Sequence, residues 1–153
     1  MKRLILLLLV LPCLVFAQTN VSGNQSGTWT ADNSPYNVTG NLTVPSGQTL
    51  NIEPGVEVNF QGHYKFSVNG NLQAIGSASS MITFTTDNQS TGWAGIRIDS
   101  DDLITMRYCK IEHGFAAGDY PDMHGGGMAI MSSKVELSNC IFADNEAGTN
   151  GMG

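Results

Sequence analysis

The sequence predicts an all-β solenoid, a parallel β-helix in which short strands stack coil upon coil around one core. Three observations predict it. Beyond its first residues the chain has no helical periodicity. Short apolar-alternating runs are separated by clusters of Gly, Asn, Ser and Thr, the residues that turn a chain between strands. Segments also recur at coil-like spacing. Val38-Thr39-Gly40-Asn41-Leu42 returns 30 residues later as Val68-Asn69-Gly70-Asn71-Leu72, Tyr108-Cys109 after 31 as Asn139-Cys140, and Gly127-Met128 after 24 as Gly151-Met152. The last two offsets agree with a repeat of about 24 residues carrying a seven-residue insertion between His113 and Gly126. Near-repeats whose length differences fall in loops are the mark of a solenoid and are not expected of a sandwich.

In chain order, residues 1–17 read as a secretory signal peptide. A basic start, Lys2-Arg3, precedes an apolar run from Leu4 to Phe16, and Val15-Phe16-Ala17 sets up cleavage before Gln18. The run is shorter than the roughly 20 residues that span a bilayer, so export is expected and a membrane span is not. Loss of Lys2 and Arg3 leaves five basic residues (7 − 2) against 13 acidic ones, a net charge of −8. That balance argues against nucleic acid and anionic membrane as partners, because both reward clustered Lys and Arg. Residues 18–34 are expected to form a lead-in or cap, and residues 35–153 the coils of a single domain.

Strands are expected at 37–44, 49–52, 56–60, 65–69, 71–75, 82–86, 94–98, 105–111, 128–131 and 134–142. Period-two alternation turns one set of side chains inward: Ile52, Val58, Phe66, Val68, Leu72, Ile82, Phe84, Ile96, Ile98, Ile111, Met128, Ile130, Val135, Leu137 and Ile141. Asn is suited to the corners because it tolerates left-handed backbone, and its amides can bond along the axis. Trp93, at a corner just before a strand, is expected to pack under a loop.

Several stretches resemble the opening coils of secreted bacterial right-handed parallel β-helix proteins, the pectate-lyase-like group. They are Asn41-Leu42-Thr43-Val44-Pro45-Ser46-Gly47-Gln48-Thr49-Leu50-Asn51-Ile52-Glu53-Pro54-Gly55-Val56-Glu57-Val58, Val68-Asn69-Gly70-Asn71-Leu72-Gln73-Ala74-Ile75-Gly76, Ile82-Thr83-Phe84-Thr85 and Gly92-Trp93-Ala94-Gly95-Ile96. The resemblance runs from about Gly27 to Gly153. It implies right-handed coils and a secreted or cell-surface protein whose relatives carry further coils, adhesion modules or a sorting domain. The chain is therefore expected to be C-terminally incomplete. The fold hosts lyases, hydrolases, epimerases, adhesins and tailspikes alike, so the resemblance implies no single activity.

Two stretches carry candidate chemistry. The insertion loop gathers His113, Asp119, Tyr120, Asp122 and His124, with Phe115 among them. Tyr120 would stack on a sugar ring, and the Asp and His side chains would bond hydroxyls or a metal, although their spacing matches no standard metal motif. Asp99, Asp101 and Asp102 form the one tight acidic cluster. They read first as a solvated turn after a strand ending at Ile98. Alternation places Asp99 and Asp101 on one side, where calcium would find hard oxygen ligands. Cys109 and Cys140 occupy equivalent places in successive coils and are expected to be stacked thiols. A disulfide is disfavoured because stacked inward side chains rarely meet its torsional demands. The expected function is an extracellular binding or adhesion scaffold toward polysaccharide or cell-surface glycan. The alternative is a polysaccharide-cleaving enzyme with its active groups in further coils. No catalytic residue is assigned, because the paired carboxylates and basic residues such chemistry needs are not recognisable.

Overall fold

The structure is a computed structural model that describes residues 18–119 and 122–148. Residues 1–17, expected to be a signal peptide, Tyr120 and the Gly151-Met152 repeat lie outside the described residues. The protein is all-β. Twelve strands form one large sheet whose paired strands all run parallel, and a small parallel pair stands apart from it.

The strands in chain order are β1 (Thr19–Asn24), β2 (Gly27–Trp29), β3 (Tyr36–Val44), β4 (Thr49–Ile52), β5 (Glu57–Phe60), β6 (Phe66–Val68), β7 (Asn71–Ile75), β8 (Ile82–Thr85), β9 (Ile96–Arg107), β10 (Cys109–Glu112), β11 (Phe115–Ala116), β12 (Met128–Ser138), β13 (Ile141–Ala143) and β14 (Glu146–Ala147). They pair in three ladders that the chain visits in a fixed order. Ladder A runs from Tyr36–Val38 of β3 through β5, β8 and β10 to β13. Ladder B runs from Leu42–Val44 of β3 through β6 and Ile96–Ile98 of β9 to Met128–Ile130 of β12. Ladder C runs β2, β4, β7, then the second halves of β9 and β12. β1 lies on β3 at the start of ladders A and B.

Alternation accounts for the core. Along β3, Tyr36, Val38, Leu42 and Val44 are buried. Their register partners Val58, Phe60, Phe66 and Val68 are buried in turn. One apolar cluster joins the inward side chains of all three ladders, from Trp29 and Tyr36 at one end to Met106 and Ile111 towards the other. It includes ten of the expected inward residues, Ile52, Val58, Phe66, Val68, Leu72, Ile82, Phe84, Ile96, Ile98 and Ile111. In the last turn the pattern corrects one residue. Ile141 pairs with Lys110 and faces outward, while Phe142 pairs with buried Ile111 and faces inward.

The register also corrects the repeat. Partner offsets are 22 residues for Tyr36↔Val58, 24 for Leu42↔Phe66, 32 for Ile96↔Met128 and 31 for Ile111↔Phe142. The Val38–Leu42 and Val68–Leu72 motifs do not stack. The first bridges ladders A and B, the second ladders B and C, because Leu42 pairs with Phe66 but Leu72 with Leu50. The same Gly-Asn chemistry turns the chain at two different corners. The Cys109–Cys140 offset does stack, since Lys110 pairs with Ile141. Tyr108 and Asn139 take matching left-handed φ of 49° and 53° just before the two cysteines.

Strand limits shift where polar residues look like turns but are not. The Asp99–Asp102 segment stays extended inside β9, and β12 is one strand where two were expected. Conversely, the run expected at 105–111 breaks at Tyr108. Within the 18–34 lead-in, β1 and β2 already pair parallel with β3 and β4.

Candidate functional site

The connections between ladders A and B lengthen steadily along the structure. Counted between equivalent register positions they are residue 22, then 39–41, 61–65, 87–95 and 114–127, or one, three, five, nine and fourteen residues. The B-to-C connections stay short (45–49, 69–71, 99–103 and 131–134), and the C-to-A connections (53–55, 75–81, 107–108 and 138–139) follow no such trend. From the second turn to the last the net growth in chain length falls at this one corner, and the insertion expected between His113 and Gly126 lies in its largest member, 114–127.

The corner has a rigid floor. Trp93 is fully buried and stacks on Phe60 with ring centroids 4.1 Å apart. Its indole N–H donates to the Glu112 carbonyl at 2.8 Å. The loops above pair with one another: the Phe115 N–H donates to Trp93 O at 2.7 Å, and β11 pairs with β14. Asn145 ties the next turn down, accepting from the Gly114 N–H at 2.9 Å and donating to Ile111 O at 2.8 Å. Gly92 makes the close approach possible: its φ is +61° and a Cβ there would lie 2.6 Å from the Cβ of Phe115.

A buried cation holds the long loop. Arg97, with only 3% of its surface exposed, donates to Asp122 O at 2.9 Å, Gly125 O at 3.1 Å and its own neighbour Ile96 O at 3.2 Å. Its Nε makes no hydrogen bond and faces the Asp122 carboxylate at 3.8 Å. Burial pulls the guanidinium below its usual pKa, and the Asp122 charge opposes that pull. Asp122 in turn receives Lys65 Nζ on both oxygens, at 2.9 and 2.8 Å. One carboxylate therefore joins the 61–65 loop, the start of β9 and the 114–127 loop. His63 adds a fourth tie through Nε2 to Phe115 O at 2.8 Å, with the two rings edge-to-face at 6.2 Å.

The expected site residues separate into roles. Asp122 is engaged by Lys65 and Arg97. His113 sits at a left-handed φ of 58°, half-buried, with Nε2 3.9 Å from a Glu112 carboxylate oxygen. It lines a cleft of about 110 Å³ with Gln89, Ser90, Phe115, Asp144 and Glu146. Asp119 and His124 are exposed on the loop, and Tyr120 lies outside the described residues. Burial pulls the Glu112 carboxyl upward, but Lys110 and Thr85, which bond it, and the neighbouring His113 hold it below the ordinary Glu value. Lys65, His63, Arg97 and Trp93 were not identified as site residues from sequence. Only their positions next to length-variable loops offered a signal.

The acidic cluster lies at a different corner, between ladders B and C. Asp99, Asp101 and Asp102 are exposed and, with Ser46, Gly47, Asn69 and Ser100, line a groove of about 520 Å³. Ser100 points inward, donating to Gly70 O at 2.9 Å and accepting the Asp102 N–H at 3.1 Å. Asp99 and Asp101 accordingly project from the outer side, as alternation requires. Among the described residues no group of three His, Cys, Asp or Glu side chains is arranged to hold a metal ion.

Cys109 and Cys140 are free thiols on successive turns. Each lies near a carbonyl of an earlier turn, Cys109 Sγ at 3.4 Å from Ala74 O and Cys140 Sγ at 3.4 Å from Met106 O. Burial and then the neighbouring Cys140 push the Cys109 thiol well above its usual pKa, which suppresses the nucleophilic thiolate.

None of the known protein-family profiles, curated proteins or solved structures matches this chain.

Proposed function

We propose that the chain is a right-handed parallel β-helix of the secreted bacterial, pectate-lyase-like kind. It works outside the cell or on its surface as a binding scaffold for polysaccharide or cell-surface glycan. The observation that carries this reading is the steady lengthening of the A–B connections, at every turn, at one corner. A stacked parallel framework contacts mainly its neighbours and so accepts loops at a corner with little cost to the core. Loops presented in a row by rigid strands are the usual place for recognition residues. The row offers Asn88, Gln89, His113, Asp119 and His124 as hydroxyl partners, and Phe115 as a stacking face. An acidic chain free of basic clusters suits a neutral glycan better than nucleic acid. No helix among the described residues is long and apolar enough to cross a membrane.

Export is supported by residues 1–17, and N-terminal sequencing of the secreted protein is expected to begin at Gln18. Glycan-array binding together with a reducing-sugar assay tests the function. Retention of a defined glycan without release of reducing ends supports the scaffold. Release of reducing ends, or binding unchanged when 116–123 is replaced by a short Gly-Ser link, refutes a passive scaffold working through this corner.

A further inference from the structure

The two thiols take no part in the corner loops. Cys109 is fully buried in the apolar core, and Cys140 packs against the same cluster. The register Lys110↔Ile141 sets the two cysteines side by side on successive turns. Tyr108 and Asn139, at φ 49° and 53°, bring both onto their strands with the same backbone geometry. Each sulfur also meets the same kind of neighbour. Cys109 Sγ donates to Ala74 O and Arg107 O at 3.4 and 3.5 Å, and Cys140 Sγ to Met106 O and Ser138 O at 3.4 and 3.5 Å. Matched side chains in a parallel ladder stand about 4.8 Å apart, one strand spacing. That is far from the roughly 2.0 Å of a sulfur–sulfur bond. It is close to twice a metal–thiolate bond of about 2.3 Å, the separation of two sulfurs in line across one ion.

We propose that Cys109 and Cys140 form a binding site for one soft divalent ion of the mercuric type, held in line by two thiolates between successive turns. Three constraints select that class. Thiolate ligands favour soft ions over calcium or magnesium. Zinc takes four ligands, and among the described residues no group of three His, Cys, Asp or Glu is arranged to hold a metal. A monovalent ion such as copper(I) between two thiolates would leave a net negative charge in an apolar cluster, which is costly. Arg107 and Lys110, the basic residues flanking Cys109, are engaged by Glu136 and Glu112 and do not neutralise it. A divalent ion gives a neutral unit. Each thiol releases its proton to solvent and each sulfur forms one bond to the ion, so two positive charges meet two negative ones. The bridge joins Cys109 to Cys140 across two described turns and needs nothing beyond them.

Mercuric chloride is the probe, added to purified protein carrying Cys13→Ser so that only this pair contributes thiols. One ion per chain is expected to survive dialysis against a monothiol, with X-ray absorption showing two sulfurs at about 2.3 Å. Tm is expected to rise by about 5–10 °C, because the bridge closes a long loop in the unfolded chain and fits the folded one without distortion. Cys109→Ser and Cys140→Ala, each checked by far-UV circular dichroism, are expected to weaken retention at least about 100-fold and to abolish the rise in Tm. No retained ion, two ions per chain, three or more sulfurs per ion, undiminished retention by either variant, or a fall in Tm on binding overturns the proposal. Where a variant does not fold, the stoichiometry, the sulfur count and the sign of the Tm change in the parent protein decide it.

Discussion

Trp93 is the most informative residue to perturb, because three separable contributions converge on it. It is wholly buried, stacks on Phe60 at 4.1 Å, and donates an indole N–H to the Glu112 carbonyl at 2.8 Å. Trp93→Phe keeps an aromatic face on Phe60, worth about 0.5–1.5 kcal/mol beyond its area. It removes the N–H and leaves the Glu112 carbonyl without its donor, at about 1–3 kcal/mol. It also opens a small void where the second ring stood. The expected loss is about 2 kcal/mol. Trp93→Ala forfeits the stack as well and creates a full cavity, for which about 3–5 kcal/mol is usual; about 4 kcal/mol is expected.

In a chain of this size each kcal/mol lowers Tm by about 2–4 °C. Phe is therefore expected to cost about 4–8 °C and Ala about twice that, measured by thermal scans and checked against urea midpoints. Because Phe115 hydrogen-bonds the Trp93 carbonyl at 2.7 Å, hydrogen exchange in 113–119 should accelerate in the Ala variant before ladder C is affected. A Phe variant within about 0.5 kcal/mol of wild type would refute the contribution of the N–H bond. An Ala variant equal to Phe would refute that of the stack.

Arg97→Met retains apolar volume but removes the bonds to Asp122 O and Gly125 O; hydrogen exchange in 122–126 is expected to quicken at least about tenfold, reported by mass spectrometry. Glu112 has a depressed folded pKa, so its stabilising contribution is present above the unfolded value near 4.5 and is lost as pH falls through the lower folded value. Between pH 6 and about 3, Tm of wild type should fall further than that of Glu112→Gln. His113→Asn relieves a left-handed backbone that Asn tolerates better and is expected to raise stability by about 0.5 kcal/mol, read as a rise in Tm. A thiol reagent at pH 8 should label half-buried Cys140 well before Cys109, followed by peptide mapping.

Much of the framework was legible because burial and turn chemistry agree locally. β4 and β7 appear at their expected limits, each an alternating run with turn residues before it (Ser46-Gly47 and Asn69-Gly70). Where they disagree the sequence misleads. Asp99-Ser100-Asp101-Asp102 has a turn's composition but an extended backbone. The small Ser100 can face inward and bond Gly70 O, so the three carboxylates remain outside without a break. Tyr108 breaks a run that alternation would continue, because its left-handed φ is imposed by the corner and is foreign to Tyr propensity. The Gly-Asn motif misplaced the repeat because the chain reuses one turn chemistry at different corners. The ties on Asp122 join residues 57 and 25 positions apart in sequence, and no local pattern encodes such a meeting.

The placement of Arg97 links the framework to the candidate site. A guanidinium on the outward side of β9, buried beneath a loop, is an expensive contact. Removing a paired charge from water commonly costs more than the pairing returns. Here its two Nη atoms bond loop carbonyls and its Nε faces the carboxylate of the same loop, so its bonding capacity goes largely to the 114–127 segment. A loop with no task could be tethered by apolar contacts or left solvated. A loop tied at Phe115, Asp122 and Gly125 by a buried charge, Lys65 and His63 is preorganised at those points, and preorganisation matters most for recognition because it removes the ordering cost that a mobile loop would meet on binding. If the chain retains glycan as proposed, loosening the pin with Arg97→Met should weaken that retention more than it lowers Tm, whereas a purely structural role predicts the two losses in proportion.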